Sequence, residues 1–178
     1  MNSRFFFFLV ALAAAGSSQA QDGQIDFTGN LLAPTCRVDI NGTGSGDATV
    51  TLRTVASSDL ANAGDVAGRI TWRVAVGAVG DPCLAPRVQL GFRNGGNVNA
   101  AGRLNITGSA RFVDVQLVNV NDAGSPVINL ADNSNSQVRD ISPATGFVIL
   151  NYAAQYYAVG AATGGTVTTS VQYDLIYP

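Results

Sequence analysis

Eight segments in which apolar and polar residues alternate are spread along the chain, and this period of two limits the possible folds more than any other feature. Successive side chains of a β-strand point to opposite faces, so alternation is typical of strands with one buried face. Turn-forming runs of Gly, Asn, Asp and Ser separate the segments. The spacing predicts an all-β, antiparallel sandwich. The alternating segments are residues 48–55, 69–76, 87–92, 103–107, 112–120, 126–130, 147–159 and 166–177.

The first twenty residues have the organisation of a secretory signal peptide. A short basic end, residues 1–4, precedes an apolar run of about a dozen residues, and Ser18 and Ala20 stand before a cleavage site at Gln21. A membrane anchor is the alternative, but a span requires about 20 apolar residues. Cleavage would leave 158 residues (178 − 20), which fits one domain.

The charged residues are of two types only, arginine and aspartate, because lysine, glutamate and histidine are absent. Without histidine, neither Ser/His/Asp or Cys/His catalysis nor an imidazole metal site can form. The aspartates occur singly in turn-like sequence, which turn formation explains better than a catalytic pair. Cleavage would remove one of ten arginines and leave twelve aspartates, a net charge of −3 (9 − 12) without a basic cluster. We therefore expect no enzyme, no nucleic-acid partner and no small-molecule cofactor.

The two cysteines, Cys36 and Cys83, are most simply explained as one disulfide of an exported protein. Such a bond would close a loop of 47 residues. The chain-entropy estimate for a loop of this length is roughly 4 kcal/mol of stabilisation against the unfolded state. Free thiols and links to other chains are the alternatives.

An amphipathic strand lies ahead of the first cysteine, with no evident partner in the sequence. Its apolar face consists of Ile25, Phe27, Gly29 and Leu31, with Ala33 next, and polar residues fall between the first four. Pro34 ends the strand. A glycine in the middle of an apolar face indicates either a bulge or a surface that must approach closely, and the spacing alone favours neither.

The last segment, residues 166–177, is a second long amphipathic strand. One face carries Val167, Thr169, Val171, Tyr173, Leu175 and Tyr177, and Ile176 is the exception on the polar face. An ordinary strand of a sandwich would have the same pattern. The single tryptophan, Trp72, lies in another alternating segment and is expected in the core.

Four stretches together resemble the subunits of chaperone-usher fimbriae, the type 1 pilin-like family. They are "FTGNLLAPTC", "GDPC", "FVDVQLVNVNDAGSPVINL" and "NYAAQYYAVGAATGGTVTTSVQYDLIY", and they span nearly all of the chain after the signal peptide. The resemblance implies an incomplete immunoglobulin-like sandwich that lacks its final strand. A donor strand from a neighbouring subunit or a chaperone completes such a fold.

The resemblance also implies a role for each end of the chain. Residues 21–35 would be a donor arm whose Ile25, Phe27, Gly29 and Leu31 enter the groove of the next subunit, and residues 36–178 would be the pilin domain. The expected partners are other copies or related fimbrial subunits, a periplasmic chaperone and an outer-membrane usher. The residues that line the groove and face the chaperone would be Val171, Tyr173, Leu175 and Tyr177, with the carboxylate of Pro178 held by the chaperone.

Three functions remain to be compared. The first is a structural subunit of a surface fimbrium, exported through the periplasm, which supports cell adhesion. The second is a secreted carbohydrate-binding module or adhesin on the same sandwich, which would need an exposed aromatic platform or a further domain. The third, a secreted hydrolase, lacks the residue types it needs. The donor arm favours the first.

Overall fold

Alternating apolar residues form two antiparallel β-sheets in residues 36–178, the part of the chain that the structure, a computed structural model, describes. The predicted signal peptide and donor arm, residues 1–35, lie outside the described residues. The elements in chain order are β1 (Val38–Ile40), a 3₁₀ helix (Ser57–Leu60), β2 (Val66–Val76), β3 (Arg87–Phe92), β4 (Arg111–Asn119), β5 (Val138–Asp140), β6 (Val148–Thr163) and β7 (Tyr173–Ile176).

The strands pair in the orders β1-β2-β6-β4 and β5-β3-β7. All of these pairs are antiparallel, and in the first sheet Val74 lies opposite Leu150 at the centre of the longest ladder. The predicted all-β class is confirmed. None of the helical segments in residues 36–178 has the length and apolar character of a membrane span.

The core lies between the two sheets and centres on Tyr152. This side chain is fully buried. Trp72 stacks on its ring with centroids 4.9 Å apart, and Phe92 meets it edge-on at 5.8 Å. Aliphatic side chains from β2, β3, β4 and β6 fill the rest of the layer. The predicted alternation therefore places one face of each strand in a single core.

Two bulges interrupt the first sheet, both towards the same end. In β2 the bulge contains Gly68, which has a φ of +70°. A Cβ atom at this position would lie 2.8 Å from the ring of Tyr156, so there is no room for a side chain. In β4 the bulge contains Phe112, which has a φ of +61°. Positive φ is uncommon outside glycine, and for a bulky residue it is a true outlier. The alternating pattern gave no sign of either bulge.

Three of the predicted strands differ from the structure. Residues 48–55 form no ladder with any described residue. Residues 103–107 and 126–130 make only isolated bridges, such as Leu104 with Val115 and Val127 with Val118 on the edge of β4. Turns lie close to both segments in the chain, at residues 100–101 and 123–124. An alternating pattern identifies a buried face but not the length of the ladder beside it.

The predicted disulfide is present and defines one end of the sandwich. Cys36 and Cys83 are bonded, with their Cα atoms 5.0 Å apart. The turn that follows β2 lies beside them, because the Gly77 N–H donates to the Arg37 carbonyl at 2.9 Å. We call this the disulfide end. The opposite end of β2, where Val66 lies across from Tyr157, is called the far end.

Candidate functional site: the edge groove

A groove of about 1240 Å³ runs along one side of the sandwich. Residues 46–52 form one side, called the N-terminal wall, and residues 167–177 form the other, called the C-terminal wall. Apolar side chains of both sheets lie on the floor, among them Trp72, Phe92, Leu117 and Ala154. We refer to it as the edge groove. It extends from Cys36 and Tyr177 at the disulfide end towards Val167 at the far end.

The C-terminal wall points alternate side chains into the groove. The odd-numbered residues are half-buried and the even-numbered residues are exposed. Apolar members of the odd set pack against the core. The alternation predicted for residues 166–177 is therefore present, although only Tyr173–Ile176 form a regular strand. The half-buried set is Val167, Thr169, Val171, Tyr173, Leu175 and Tyr177.

The backbone of the same wall is paired on its other side. Thr168 exchanges hydrogen bonds with Thr107, and the Gln172 carbonyl accepts from the Arg93 N–H at 2.8 Å. Asp174 and Ile176 continue this register against β3. Hydrogen-bonded and non-hydrogen-bonded positions alternate in an antiparallel ladder, so the odd-numbered peptide groups face the groove. Within residues 36–178, β7 pairs with β3 alone, and the peptide groups of Val167, Thr169 and Val171 have no backbone partner.

The N-terminal wall presents a second open edge. Val50 and Leu52 are half-buried, while their neighbours Thr49, Thr51 and Arg53 are exposed. Among the described residues, the backbone groups of residues 48–52 make no backbone hydrogen bond. This segment has the side-chain pattern of a strand without a ladder, which is the physical reason why the strand predicted for residues 48–55 is not observed.

Tyr173 crosses the groove from one wall to the other. Its hydroxyl donates to the Gly46 carbonyl at 2.6 Å. Burial, and to a lesser extent the negative charge of Asp47, raises the pKa of Tyr173, so the hydroxyl stays protonated at neutral pH. A Cβ atom on Gly46 would lie 3.0 Å from that hydroxyl. The side chain of Tyr173 therefore raises the floor at this point.

Arg93 fastens the C-terminal wall from outside. Its Nε and Nη2 donate to the two carboxylate oxygens of Asp174 at 2.7 and 2.6 Å. The hydrogen bond from Arg93 lowers the pKa of Asp174. The pair is exposed, so water and salt weaken it. Its paired geometry nevertheless holds the even-numbered face of the wall against β3.

Trp72 is part of the groove floor as well as of the core. The sequence predicted a core position, and the side chain is half-buried, with one face on Tyr152. Its Nε1–H is buried and finds no acceptor among the described residues. Because this is the chain's single tryptophan, its fluorescence reports directly on the groove.

An extended apolar segment has the chemistry that suits this site. Two open strand edges offer backbone donors and acceptors to a chain inserted between them, and the apolar floor accepts every second side chain. Burial raises the pKa of Tyr156 and Tyr177 as well as that of Tyr173. These tyrosine hydroxyls therefore stay protonated, and the charged residues that line the groove, Asp47, Arg93 and Asp174, are exposed.

Only some of the predicted site residues lie among the residues that the structure describes. Val171, Tyr173, Leu175 and Tyr177 lie along one wall of the edge groove. The predicted donor residues, Ile25, Phe27, Gly29 and Leu31, lie outside the described residues. Sequence reasoning did not identify the N-terminal wall or Trp72 as groove-lining. The signal was available for the wall, since residues 48–55 alternate, but nothing in the pattern says which strand remains unpaired.

Two of the relatives found by comparison with known proteins have almost the same length as this chain. The F17 fimbrial protein of Escherichia coli is 36% identical over 177 residues, which cover 96% of this chain and 97% of that protein. The major fimbrial subunit SMF-1 of Stenotrophomonas maltophilia is 38% identical over 173 residues, with 93% and 98% covered. No family model matches the sequence.

The fold also has a counterpart among solved structures. The crystal structure of the P pilus rod subunit PapA matches 80% of this chain and 99% of its own, with a TM-score of 0.58 and 17% identity. At that identity the likeness concerns the fold alone. It agrees with a sandwich that is one strand short within residues 36–178.

Proposed function

Because the chain belongs to the fimbrial subunits of the type 1 pilin-like, chaperone-usher family, we propose that it polymerises by giving its donor arm to one neighbour and receiving another neighbour's arm in the edge groove. The protein is a structural subunit of a surface fimbrium. Its relatives carry the names of fimbrial subunits and not of enzymes, and we infer that this chain has no catalytic activity either. Support of cell adhesion by the fimbrium is part of the same proposal.

The single observation that carries the proposal is the pair of open edges on either side of an apolar floor. An inserted strand would satisfy the odd-numbered backbone groups of the C-terminal wall and those of residues 48–52 at once. The donor arm of residues 21–35 has the matching property, an apolar face of alternate residues. Its polar face would remain in contact with water.

The energy of this exchange is large for a small domain. Burial of Ile25, Phe27 and Leu31 contributes about 1.5 to 3 kcal/mol each, or roughly 5 to 9 kcal/mol together. The whole free energy of unfolding of a typical domain is about 5 to 15 kcal/mol. A subunit without a donor is therefore expected to fold poorly and to aggregate, and a subunit with one is expected to resist unfolding.

The direction of the inserted arm follows from where it leaves the body. The arm ends at Cys36, beside Tyr177, at the disulfide end of the groove. A filament repeats one orientation when exit and acceptor lie at opposite ends of each subunit. The arm therefore enters its neighbour at the far end, near Val167, and runs antiparallel to the C-terminal wall.

Tyr173 fixes the register of the arm in this arrangement. Its side chain lies across the groove to Gly46, which supports placing the donor position without a side chain, Gly29, opposite it. In an antiparallel ladder that pairing sets Ile25 beside Tyr177, Phe27 beside Leu175 and Leu31 beside Val171. Gly29 is then required for close approach, and the alternative of a bulge is not needed.

Export precedes assembly in the proposed sequence of events. The signal peptide, residues 1–20, directs the chain through the periplasm to the cell surface. A periplasmic chaperone would supply a temporary strand to the edge groove and hold the carboxylate of Pro178, and an outer-membrane usher would exchange that strand for a donor arm. Each step uses the same two open edges.

The proposal is tested with a synthetic peptide of residues 21–33 and the fluorescence of Trp72. The mature chain is refolded with excess peptide, and binding is expected to move the Trp72 emission to shorter wavelength because the groove floor loses contact with water. A Gly29→Leu peptide is expected to bind at least about tenfold more weakly, since one large side chain meets Tyr173.

A control peptide distinguishes the effect of a leucine at position 29 from the effect of an added leucine elsewhere in the arm. Thr28→Leu adds a leucine on the face that remains in water, so it is expected to bind like the unchanged peptide. The arm is assigned wrongly if the Gly29→Leu peptide binds as tightly as the Thr28→Leu peptide. In fibres from intact cells the mature subunit should also run as a boiling-sensitive ladder on a denaturing gel.

A further inference from the structure

Of the seven large apolar side chains exposed in residues 36–178, five form two groups, one at each of the two ends of the sandwich. Val79 and Leu84 lie at the disulfide end and expose 100% and 82% of their surface; we call them the disulfide-end patch. Val66, Phe112 and Val159 lie at the far end and expose 51%, 59% and 43%; we call them the far-end patch. Apolar side chains grouped at particular ends indicate a contact surface.

The strand register sets the two patches at opposite ends. Val66 is the first residue of β2, and Val79 follows the last residue of that strand by three positions. An extended strand rises about 3.3 Å per residue, so the eleven residues of β2 separate the patches by roughly 30 Å. Val159 lies two residues beyond Tyr157, the partner of Val66. The far-end patch is thus built by neighbouring strands.

Phe112 provides a second and independent observation. Its aromatic ring is exposed although its backbone adopts a φ of +61°. The bulge at this position turns Phe112 over Gly160, where a Cβ atom would lie 3.5 to 3.6 Å from the Phe112 side chain. Phe112 nevertheless remains 59% exposed, so most of its side chain makes no contact within residues 36–178. Strained positions of this kind are found where a surface has a function.

We propose that the disulfide-end patch of one subunit packs on the far-end patch of the next copy, as a body-to-body contact in addition to the donor strand. This contact rests on the proposed function, because the donor arm decides which surfaces meet. The arm leaves at the disulfide end and enters the neighbour's groove at the far end. The partner is therefore a second copy of this chain in the same orientation.

Covalent geometry limits the distance between the two bodies. Three residue steps separate Ala33, the last residue of the arm's apolar face, from Cys36, and a chain spans at most about 3.6 Å per residue. The neighbour's groove mouth therefore lies within about 11 Å of Cys36. Leu84 follows Cys83, whose Cα is 5.0 Å from that of Cys36. Leu84 lies within reach of the neighbour.

The far-end patch lies beside the groove mouth that receives the arm. The Ala110 N–H donates to the Thr166 carbonyl at 3.2 Å, next to Val167. Phe112 follows Ala110 by two residues, at the start of β4. An arm that enters at this mouth brings its own body, and with it Leu84, towards Phe112. The far-end patch is therefore placed to receive the disulfide-end patch.

The contact is tested with Phe112→Asn and Leu84→Asn in the mature chain. Asparagine tolerates positive φ better than phenylalanine, so Phe112→Asn removes the ring and keeps the bulge. Each variant is expected to bind the peptide of residues 21–33 within about twofold of the unchanged chain, but to assemble about tenfold more slowly, the effect of losing one buried apolar side chain. Assembly is followed by light scattering and by the gel ladder.

Val127→Asn is the matched control. Val127 is 41% exposed but lies beside Val118 on the edge of β4, away from both patches. It is expected to change neither measurement. Normal assembly of both patch variants would overturn the end contact while leaving the donor strand intact. Failure of the unchanged chain to bind the peptide would overturn the proposed function, and the end contact with it.

Discussion

Tyr173 and Gly29 form a complementary pair in the proposed register. The tyrosine side chain reaches Gly46 on the opposite wall, and the proposed register sets Gly29 of the donor arm opposite this point. Complementary sizes of this kind give specificity, because a packed interior tolerates neither overfilling nor a void. The pair therefore determines register as well as affinity.

The prediction at the residue scale concerns the exchange of the large side chain at position 173 with the small residue at position 29. A Tyr173→Ala body is expected to bind the Gly29→Leu peptide at least about tenfold more tightly than the unchanged body does, since the leucine occupies the space that the ring vacates. The same body is expected to bind the unchanged peptide more weakly. Trp72 fluorescence measures all four combinations, and the double-mutant cycle isolates the coupling.

Tyr156→Ala is the control for that exchange. Tyr156 also lines the edge groove and is half-buried, but no hydrogen bond from its hydroxyl to another described residue is present. It removes a ring of the same size from a different position. If Tyr156→Ala improves binding of the Gly29→Leu peptide as much as Tyr173→Ala does, the register is wrong.

The C-terminal wall combines a paired side and an open side within one strand. Even-numbered peptide groups are held by β3 and by Thr107, and odd-numbered groups face the groove. Alternation of hydrogen bonding along an antiparallel strand predicts that neighbouring amides differ in their protection from solvent. Insertion of a donor strand would remove the difference.

Hydrogen exchange of single amides tests this at the scale of the element. The amides of Val171, Tyr173 and Leu175 are expected to exchange much more slowly once the peptide of residues 21–33 is bound. Those of Asp174 and Ile176 face β3 and serve as internal controls with little change. Equal protection of both sets would indicate that the peptide binds elsewhere and stabilises the fold only in general.

The sequence predicted strands well where the ladder is internal to the chain. The alternating segments 69–76, 87–92, 112–120 and 147–159 overlap β2, β3, β4 and β6 closely. The pattern failed for residues 48–55 because a strand's ladder depends on its partner, and this segment has none among the described residues. The backbone conformation of Phe112 was also beyond prediction, since side-chain alternation carries no information about φ.

The sequence likewise predicts part of the candidate site. The half-buried face of residues 167–177 follows directly from period-two alternation. Tyr173 was placed in the groove, but its bond to Gly46 joins residues 127 positions apart and depends on the register of both walls. Trp72 was predicted as core and has two roles, because a single ring can face Tyr152 and the groove together.

The two ends of the subunit have different roles in the proposed assembly, which gives the filament a direction. In the proposed assembly, the arm leaves at the disulfide end and the groove receives an arm at the far end, so each subunit offers one arm and one groove. Growth then requires both features in every copy, and a copy that lacks one of them ends the chain. Subunits with a groove but no arm therefore act as terminators, whatever the strength of each contact.

Mixtures of complete and armless subunits test this polarity quantitatively. A chain lacking residues 21–33 accepts an arm but offers none, so the mean polymer length is expected to fall roughly as the inverse of its fraction in the mixture. At one armless copy in ten, the unboiled gel ladder should centre near ten subunits. Equal amounts of the Thr28→Leu subunit, which keeps both features, should leave the ladder unchanged. If the armless subunit leaves the ladder unchanged, growth does not depend on the arm. Each groove binds one donor arm, so a subunit without an arm cannot enter a neighbour's groove and must end the chain.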